Sequence, residues 1–350
     1  MECGRFDNVN VALPLCDKKR IAYLDYARIF ASFLVIYGHL YTPNPDNYIR
    51  VFIYQFHMPL FFFVSGMLHK YNGQIQIRKY IKTMLVPTLF FVTLFYLVTG
   101  VLYYCDFWNY KEAVPKSIVL GDNIFYTYLG YLIYSVKGFV MGTSMLNGPC
   151  WFLIALFYCK VFMDFIVKRP LVFGCVWAIL FVLMCVWVRK YFFVANFVMA
   201  FPFYYAGFKT RSLCNKLLNL KIRMVLFPIS IAVLLLVMKY NGTVSSWSIS
   251  FGHMPFPLRI ICFYLAGFSG TLMILCLSTF FTRSNLFSFF AANSLISVLG
   301  LQVLFIFVVD NLIGFNLSYG ASFLIALLIY ALCLIGHSFF KKFTPVLIGK

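Results

Sequence analysis

Apolar segments long enough to cross a lipid bilayer recur along almost the whole chain. A helix needs about 20 predominantly apolar residues to span the hydrocarbon core. Backbone groups in lipid must find their hydrogen-bond partners within the protein, so each such segment is expected to be a helix. The sequence therefore predicts an all-α, polytopic membrane protein with about ten transmembrane helices, at residues 21–41, 51–69, 83–104, 149–167, 170–188, 191–208, 224–239, 260–281, 286–309 and 312–339.

The composition argues against a water-soluble fold and against a nucleic-acid partner. Hydrophobic residues make up 63% of the chain and charged residues 11%, whereas soluble domains carry about a quarter charged residues. The net charge of +19 comes from short Lys and Arg clusters between apolar segments, and no basic face with interleaved aromatics is present. The 11 cysteines form no C-x-x-C pair and no metal-like spacing with the five histidines. We therefore expect a lipid bilayer as the surroundings, no disulfide framework and no metal site.

The distribution of positive charge predicts the orientation in the membrane. If the N-terminus is cytoplasmic, most of the 29 Lys and Arg residues fall in cytoplasmic loops, as the positive-inside rule requires. Both termini are then cytoplasmic, and the number of spans is even. The predicted organisation is a cytoplasmic N-terminal segment at 1–20, a single transmembrane domain at 21–340 and a cytoplasmic tail at 341–350. Residues 1–20 lack the apolar core of a signal peptide, so the first helix is expected to be an uncleaved anchor.

Residues 123–146 do not fit this scheme easily. They are apolar enough for an eleventh span, but they carry Lys137 and three glycines. An eleventh span would reverse every later loop and remove the charge asymmetry. We interpret this stretch as an outside or re-entrant segment, packed on protein or lining a cavity.

Ionisable residues inside a bilayer are costly and suggest function. Arg28 and His39 lie eleven residues apart in the first segment, which places them about 20° apart around a helix and about 16 Å apart along it. Both then face one groove, with a fixed cation at one end and an imidazole suited to proton transfer at the other. Alternatively, both side chains snorkel to the headgroups, with Asp25 pairing Arg28. Lys160 and Asp164, four residues apart, are predicted to form a structural pair.

Two motifs resemble the opening of a known membrane-enzyme family. The stretches LDYARIFASFLVIYGHLY and FHMPLFFFVSGML are similar to the first two helices of the acyltransferase 3 family. That family carries Arg, ten residues and then His on its first helix, matched by Arg28 and His39. Its second segment ends in Ser-Gly, matched by Ser65 and Gly66. The stretch NGPCWFLIALFY resembles the family's entry to a later helix.

The resemblance implies a membrane acyltransferase. An acyl group, usually acetyl, would move from cytoplasmic acyl-CoA to a hydroxyl of a cell-surface or secreted carbohydrate. His39 would be the base or an acyl relay, and Arg28 would hold a phosphate of the donor. Acetyl-CoA would then be a substrate, with no permanently bound cofactor. A cell membrane, inner or plasma, is the expected location, and some relatives work with an extracytoplasmic domain that here would be a separate partner.

The resemblance also implies further binding residues. Lys79 and Lys82 stand where the family often has Arg-x-x-Arg, so they are predicted to contact the donor, although an ordinary positive-inside cluster is the favoured explanation. His57 and Ser65 are predicted to contact the acceptor. A structural alternative for His57 is donation to a carbonyl that Pro59 leaves without a partner.

Two other functions fit many helices with few buried charges. A transporter or flippase for a lipid-linked saccharide would place charges or broken helices in two related halves, but here the charges concentrate near one end. An inactive acyltransferase-like scaffold is the other alternative. Consumption of the acyl-CoA thioester distinguishes the enzyme from both.

Overall fold

The computed structural model of the chain describes residues 21–41, 47–105, 124–142, 147–187, 191–241, 255–281, 283, 285–313 and 318–349. Within these ranges the regular secondary structure is helical and no strand is found. The predicted all-α class is therefore confirmed. The N-terminal segment 1–20 and the end of the predicted tail, residue 350, lie outside the described residues.

The helices follow one another with short connections in the described ranges. A π-helical turn, Ile81–Leu85, joins the fourth helix to the fifth, and the 3₁₀ turns Gly148–Cys150 and Tyr191–Phe193 lead into later helices. The α-helices are α1 (Ala22–His39), α2 (Tyr48–Tyr54), α3 (His57–Met67), α4 (Ile77–Tyr80), α5 (Val86–Tyr104), α6 (Ile124–Met141), α7 (Trp151–Lys168), α8 (Pro170–Trp187), α9 (Val194–Thr210), α10 (Leu220–Asn241), α11 (Phe256–Ser278), α12 (Leu286–Asn293), α13 (Leu295–Ile313) and α14 (Tyr319–Phe343).

Each of the ten predicted segments coincides with a helix or with two consecutive helices. Eight helical stretches are long and apolar enough to cross a membrane: Tyr48–Met67, Ile77–Leu102, Gly148–Lys168, Tyr191–Thr210, Leu220–Asn241, Phe256–Ser278, Leu295–Ile313 and Tyr319–Phe343. α1 is not among them because Asp25, Arg28 and His39 lower its hydropathy. Part of α8 is apolar, but the stretch Pro170–Cys185 is shorter. Ten spans and cytoplasmic termini stay predictions.

The stretch at 123–146, predicted to lie outside or to re-enter, contains helix α6. Its apolar part, Leu129–Met141, is shorter than the eight spanning stretches. α6 packs against α5, and its Phe139 ring contacts the rings of Phe192 and Phe193. The Ser135 hydroxyl donates to the Tyr131 carbonyl 2.8 Å away, so this polar side chain is satisfied within its own helix. α6 thus packs on protein at α5 and at Phe192 and Phe193.

The tightest helix crossing in the described bundle joins α3 to α9. A Cβ placed on Gly66 would collide with the carbonyl oxygen of Tyr204, and a Cβ placed on Gly207 would collide with the carbonyl oxygen of Phe63. Small residues let helix backbones approach closely, as is common in membrane bundles. The glycine of the Ser-Gly motif is therefore explained by packing, and it brings the C-terminal end of α3 onto α9.

A buried asparagine fixes the start of α7. Asn147 is fully buried, and its Nδ2 donates to the carbonyl of Gly300 on α13 at 2.7 Å. The 3₁₀ turn Gly148–Cys150 follows directly and continues into α7. Pro149 suits the first turn of this helix, because the first N–H groups of a helix have no acceptor within the helix and proline has no N–H to leave unpaired. The hydrogen bond from Asn147 to Gly300 therefore fixes the start of α7, and with it the polar residues of α7, relative to α13.

The outer surface of the bundle is apolar where helices face away from their neighbours. On α10, the side chains of Val225, Ile229, Leu235 and Leu236 are each about half exposed. In water, so many contiguous exposed apolar side chains would be unfavourable. Helices satisfy their own backbone hydrogen bonds, so an apolar outer surface of this kind suits contact with lipid, as expected for an integral membrane protein.

We expect Gly66→Ala to destabilise the protein. Overfilling a packed site costs about 1–3 kcal/mol, and the obstacle at Gly66 is a backbone oxygen, which moves only if α3 and α9 separate. The measurement is the unfolding temperature in detergent. Gly174→Ala on α8 is the matched control, because a Cβ there meets nothing within 4 Å. Equal unfolding temperatures for the two variants would contradict the close crossing.

Candidate active site

The arginine of α1 lines a small cavity inside the bundle. The cavity has a volume of about 180 Å³, and its polar lining comes from Arg28, Ser65, Lys160 and Asn293. These residues belong to α1, α3, α7 and the end of α12. Arg28, predicted to hold the donor, and Ser65, predicted to contact the acceptor, thus line the same cavity.

Asp25 partly balances the charge of Arg28. The Arg28 Nη1 lies 3.9 Å from Asp25 Oδ1, one turn earlier on α1, and the Asp25 side chain is only 6% exposed. The predicted pairing on α1 is present, but at a distance that leaves the two groups in loose contact. The guanidinium keeps 21% exposure and also lines the cavity.

The predicted pair between Lys160 and Asp164 does not form. Asp164 is fully buried, and its carboxylate accepts from the backbone N–H of Gln76 at 3.0 Å and from the Tyr80 hydroxyl at 3.2 Å. His69 Nε2 lies 3.1 Å from Asp164 Oδ1. Four-residue spacing permits a lysine–aspartate contact on a helix, but here these groups from outside α7 occupy the carboxylate instead.

His69 links this junction to α9. Its Nδ1 lies 2.7 Å from the Tyr204 hydroxyl, next to the close crossing of α3 and α9. Burial, reinforced by the nearby charges of Lys160 and Lys79, lowers the pKa of His69 to about 4. The imidazole is therefore neutral near pH 7, which lets one ring nitrogen donate while the other accepts. His69 and Asp164 thus form a buried polar junction between α3, α7 and α9.

The histidine of α1 lies in a second group, at the C-terminal end of the helix. His39 Nδ1 lies 2.9 Å from the hydroxyl of Tyr54 on α2. The Tyr54 ring also packs on His57, with ring centroids 4.9 Å apart, and the Arg50 guanidinium lies over it at 4.6 Å. Tyr54 is therefore the centre of a cluster that contains both predicted histidines and a cation.

The break between α2 and α3 positions His57. Its Nδ1 donates to the carbonyl of Ile53 at 2.9 Å, because a carbonyl can only accept. Pro59, in the first turn of α3, lacks an N–H and leaves the carbonyl of Gln55 without its usual helical donor. The structural alternative for His57 is thus realised with the carbonyl of Ile53 rather than the one that Pro59 frees.

Lys79 and Lys82 lie outside the cavity that Arg28 lines. Both side chains are exposed, and the Lys79 ammonium donates to Gln76 Oε1 at 2.9 Å. Lys79 is close enough to contribute a field at Lys160. The donor contacts assigned to Lys79 and Lys82 stay predictions.

Comparison with known families decides the class of the protein. A family model described as an acyltransferase domain matches residues 21–340, nearly the whole chain. The chain belongs to the acyltransferase 3 family. No curated protein and no solved structure matches the chain. As a member of this family it is a membrane acyltransferase.

In this acyltransferase the predicted site residues form two groups. Arg28 and Ser65 share the cavity, while His39 and His57 share the Tyr54 ring. Sequence reasoning missed Tyr54 because no helical spacing connects it to His39, and it treated Lys160 as structural. No three His, Cys, Asp or Glu side chains in the described ranges are placed to hold a metal ion.

We expect Asp164→Asn to destabilise the acyltransferase. The amide presents N–H donors where Gln76 and Tyr80 already donate, and leaving buried donors without acceptors costs about 1–3 kcal/mol. The unfolding temperature in detergent measures this loss. Asp310→Asn is the matched control, since no hydrogen bond or ion pair is found for Asp310 among the described residues. Equal losses for both variants would show that the junction contributes nothing specific.

Proposed function

We propose that this protein is an O-acetyltransferase that moves an acetyl group from cytoplasmic acetyl-CoA to a hydroxyl of a cell-surface or secreted carbohydrate. The family assignment covers acyl transfer, and the acetyl donor and the carbohydrate acceptor are the further proposal. The observation that carries it is the placement of Arg28 and His39. Arg28, in the N-terminal half of α1, lines a cavity with α3, and His39, the last residue of α1, contacts Tyr54 on α2.

The spacing of these two residues suits one extended donor. Eleven residues of α-helix correspond to about 16 Å, so a phosphate held at Arg28 lies well away from His39. Acyl-CoA carries its phosphates at one end of a long flexible arm and its thioester at the other. With its phosphates beside Arg28, the donor would present the thioester towards His39.

The reaction needs a base at the acceptor. An alcohol is a weak nucleophile until its proton is removed. His39 would take the proton of the acceptor hydroxyl, whose oxygen forms a bond to the thioester carbonyl carbon. The carbon–sulfur bond then breaks, and CoA leaves as a thiolate that takes up a proton. In the relay version, the acetyl group would first bond to the imidazole before the acceptor attacks.

Four further residues complete the proposal. Lys79 and Lys82 are exposed and follow α3 in the chain. On the cytoplasmic side, their ammonium groups would bind the donor phosphates through charge-assisted hydrogen bonds. His57 and Ser65 would contact the substrates from the α2–α3 side. The acceptor would approach from the other face of the cell membrane, and a separate extracytoplasmic protein would be a natural partner.

We expect His39→Ala to abolish acetyl transfer while the protein still folds. Loss of a positioned base alone lowers rates by about 10²–10⁴-fold. The assay uses purified protein in liposomes with labelled acetyl-CoA on the cytoplasmic face and crude surface polysaccharide as acceptor. Folding is checked by the unfolding temperature. Wild-type turnover in a folded His39→Ala protein would remove this mechanism.

The same assay tests the alternative functions. Thioester consumption by the wild-type protein alone supports the acetyltransferase. Movement of a lipid-linked saccharide across the bilayer without thioester loss would favour the transporter or flippase. Neither activity would favour the inactive scaffold and overturn the proposal.

We expect Tyr54→Phe to lower kcat without changing the KM for acetyl-CoA. A base at His39 Nε2 requires Nδ1–H to donate to the Tyr54 oxygen, so losing that oxygen removes the group that fixes the ring and its tautomer. Donor binding at Arg28 lies at the other end of α1 and is untouched. Tyr48→Phe, on the same helix and 73% exposed, is the matched control. An unchanged kcat would exclude this role for Tyr54.

A further inference from the structure

The cavity beside Arg28 carries two positive charges and no negative one. Arg28 and Lys160 both line it, and no Asp or Glu does. The rest of the polar lining is Ser65 and Asn293, which offer neutral hydrogen-bonding groups. Two like charges that face one small space repel each other unless something anionic lies between them.

Lys160 stands out because its obvious counter-ion is engaged elsewhere. The Asp164 carboxylate accepts from Gln76 and Tyr80 and contacts His69. In the described part of the chain, the Lys160 ammonium makes no hydrogen bond and no ion pair within 4.0 Å. The Lys160 nitrogen lies 5.5 Å from the centroid of the Tyr80 ring. Lys160 is only partly exposed, and a charge partly withdrawn from water is costly unless it is paired, so an anionic ligand would lower this cost.

The size and the remaining lining restrict the ligand. At about 180 Å³ the cavity is smaller than the roughly 300–1,000 Å³ that encloses a drug-sized molecule, so it would hold only part of a nucleotide-containing donor. Apart from the two cations, Ser65 and Asn293, the walls are apolar and include Phe61, Phe152 and Leu156. Such a lining fits an anionic group joined to a less polar chain.

We propose that Lys160 is a second donor-binding residue, and that its ammonium and the Arg28 guanidinium together hold one phosphate or diphosphate group of the acyl donor in this cavity. The identity of the donor as acyl-CoA rests on the proposed function. Lysine acts as a point charge towards phosphate, whereas arginine supplies a directional fork. The two residues would thus divide charge compensation and orientation between them.

The buried junction gives Asp164 a positioning role in this proposal. If Asp164 were paired with Lys160, the pair would be neutral and the anion site would lose half of its charge. The N–H of Gln76, the Tyr80 hydroxyl and His69 hold the carboxylate away from the ammonium. Lys160 therefore keeps its charge for a ligand.

The test is the binding of CoA and of inorganic diphosphate to the purified protein in detergent, measured by calorimetry at two salt concentrations. Lys160→Gln should weaken both at least tenfold and reduce the salt dependence, and Lys160→Arg should restore most of the affinity. Lys168→Gln is the matched control, because it removes one exposed positive charge from the same helix. It should bind both probes as the wild type does.

The outcomes separate this inference from the proposed function. If Lys160→Gln and Lys168→Gln bind the probes equally, the inference is overturned, even if acetyl-CoA turnover still depends on His39. If Lys160→Gln loses the probes but the wild type consumes no acetyl-CoA, the anion site stands and the proposed reaction fails. In the active enzyme the supporting result is a raised KM for acetyl-CoA with little change in kcat.

Discussion

The close crossing of α3 and α9 is the contact on which the candidate site depends. Gly66 and Gly207 let each backbone touch the carbonyl of the other helix, so α3 has almost no freedom to shift or rotate. Ser65 is then turned to the cavity, and His69 reaches Tyr204 at 2.7 Å. In a bilayer, where no hydrophobic force drives one helix against another, this fit is the main source of helix association.

The polar residues of the bundle interior are divided between two places. At one end, His69, Tyr80 and Gln76 hold Asp164, and the cations of the cavity remain without that counter-ion. At the other end, Tyr54 joins two imidazoles. Buried polar groups are usually satisfied within the protein. Asp25 lies 3.9 Å from Arg28, whereas Lys160 has no ion pair within 4.0 Å among the described residues, so the charge of Lys160 is the feature that stability does not require. Function accounts for it more simply than stability does.

Much of the fold follows from the sequence, because a spanning helix is dictated by length and hydropathy alone. The placement of Arg28 and His39 on one helix was also predictable, since helical periodicity needs no tertiary information. The Lys160–Asp164 pair was predicted wrongly because local spacing cannot reveal that residues about 90 positions away compete for the carboxylate. The role of Tyr54 could not be predicted for the same reason, because its contact with His39 depends on how α2 packs against α1.

The separation of the two groups bears on how the protein would work. Arg28 and His39 are parts of one helix, so the distance between them is fixed at about 16 Å and cannot close during a reaction. A donor held at one end must therefore bring its reactive group to the other end by its own length. That requirement is met by a thioester on a long flexible arm and not by a compact acyl phosphate. With the proposed roles of Arg28 in donor binding and His39 as base, the geometry of α1 would suit an acyl-CoA donor, and delivery of the acyl group would require no large movement of helices.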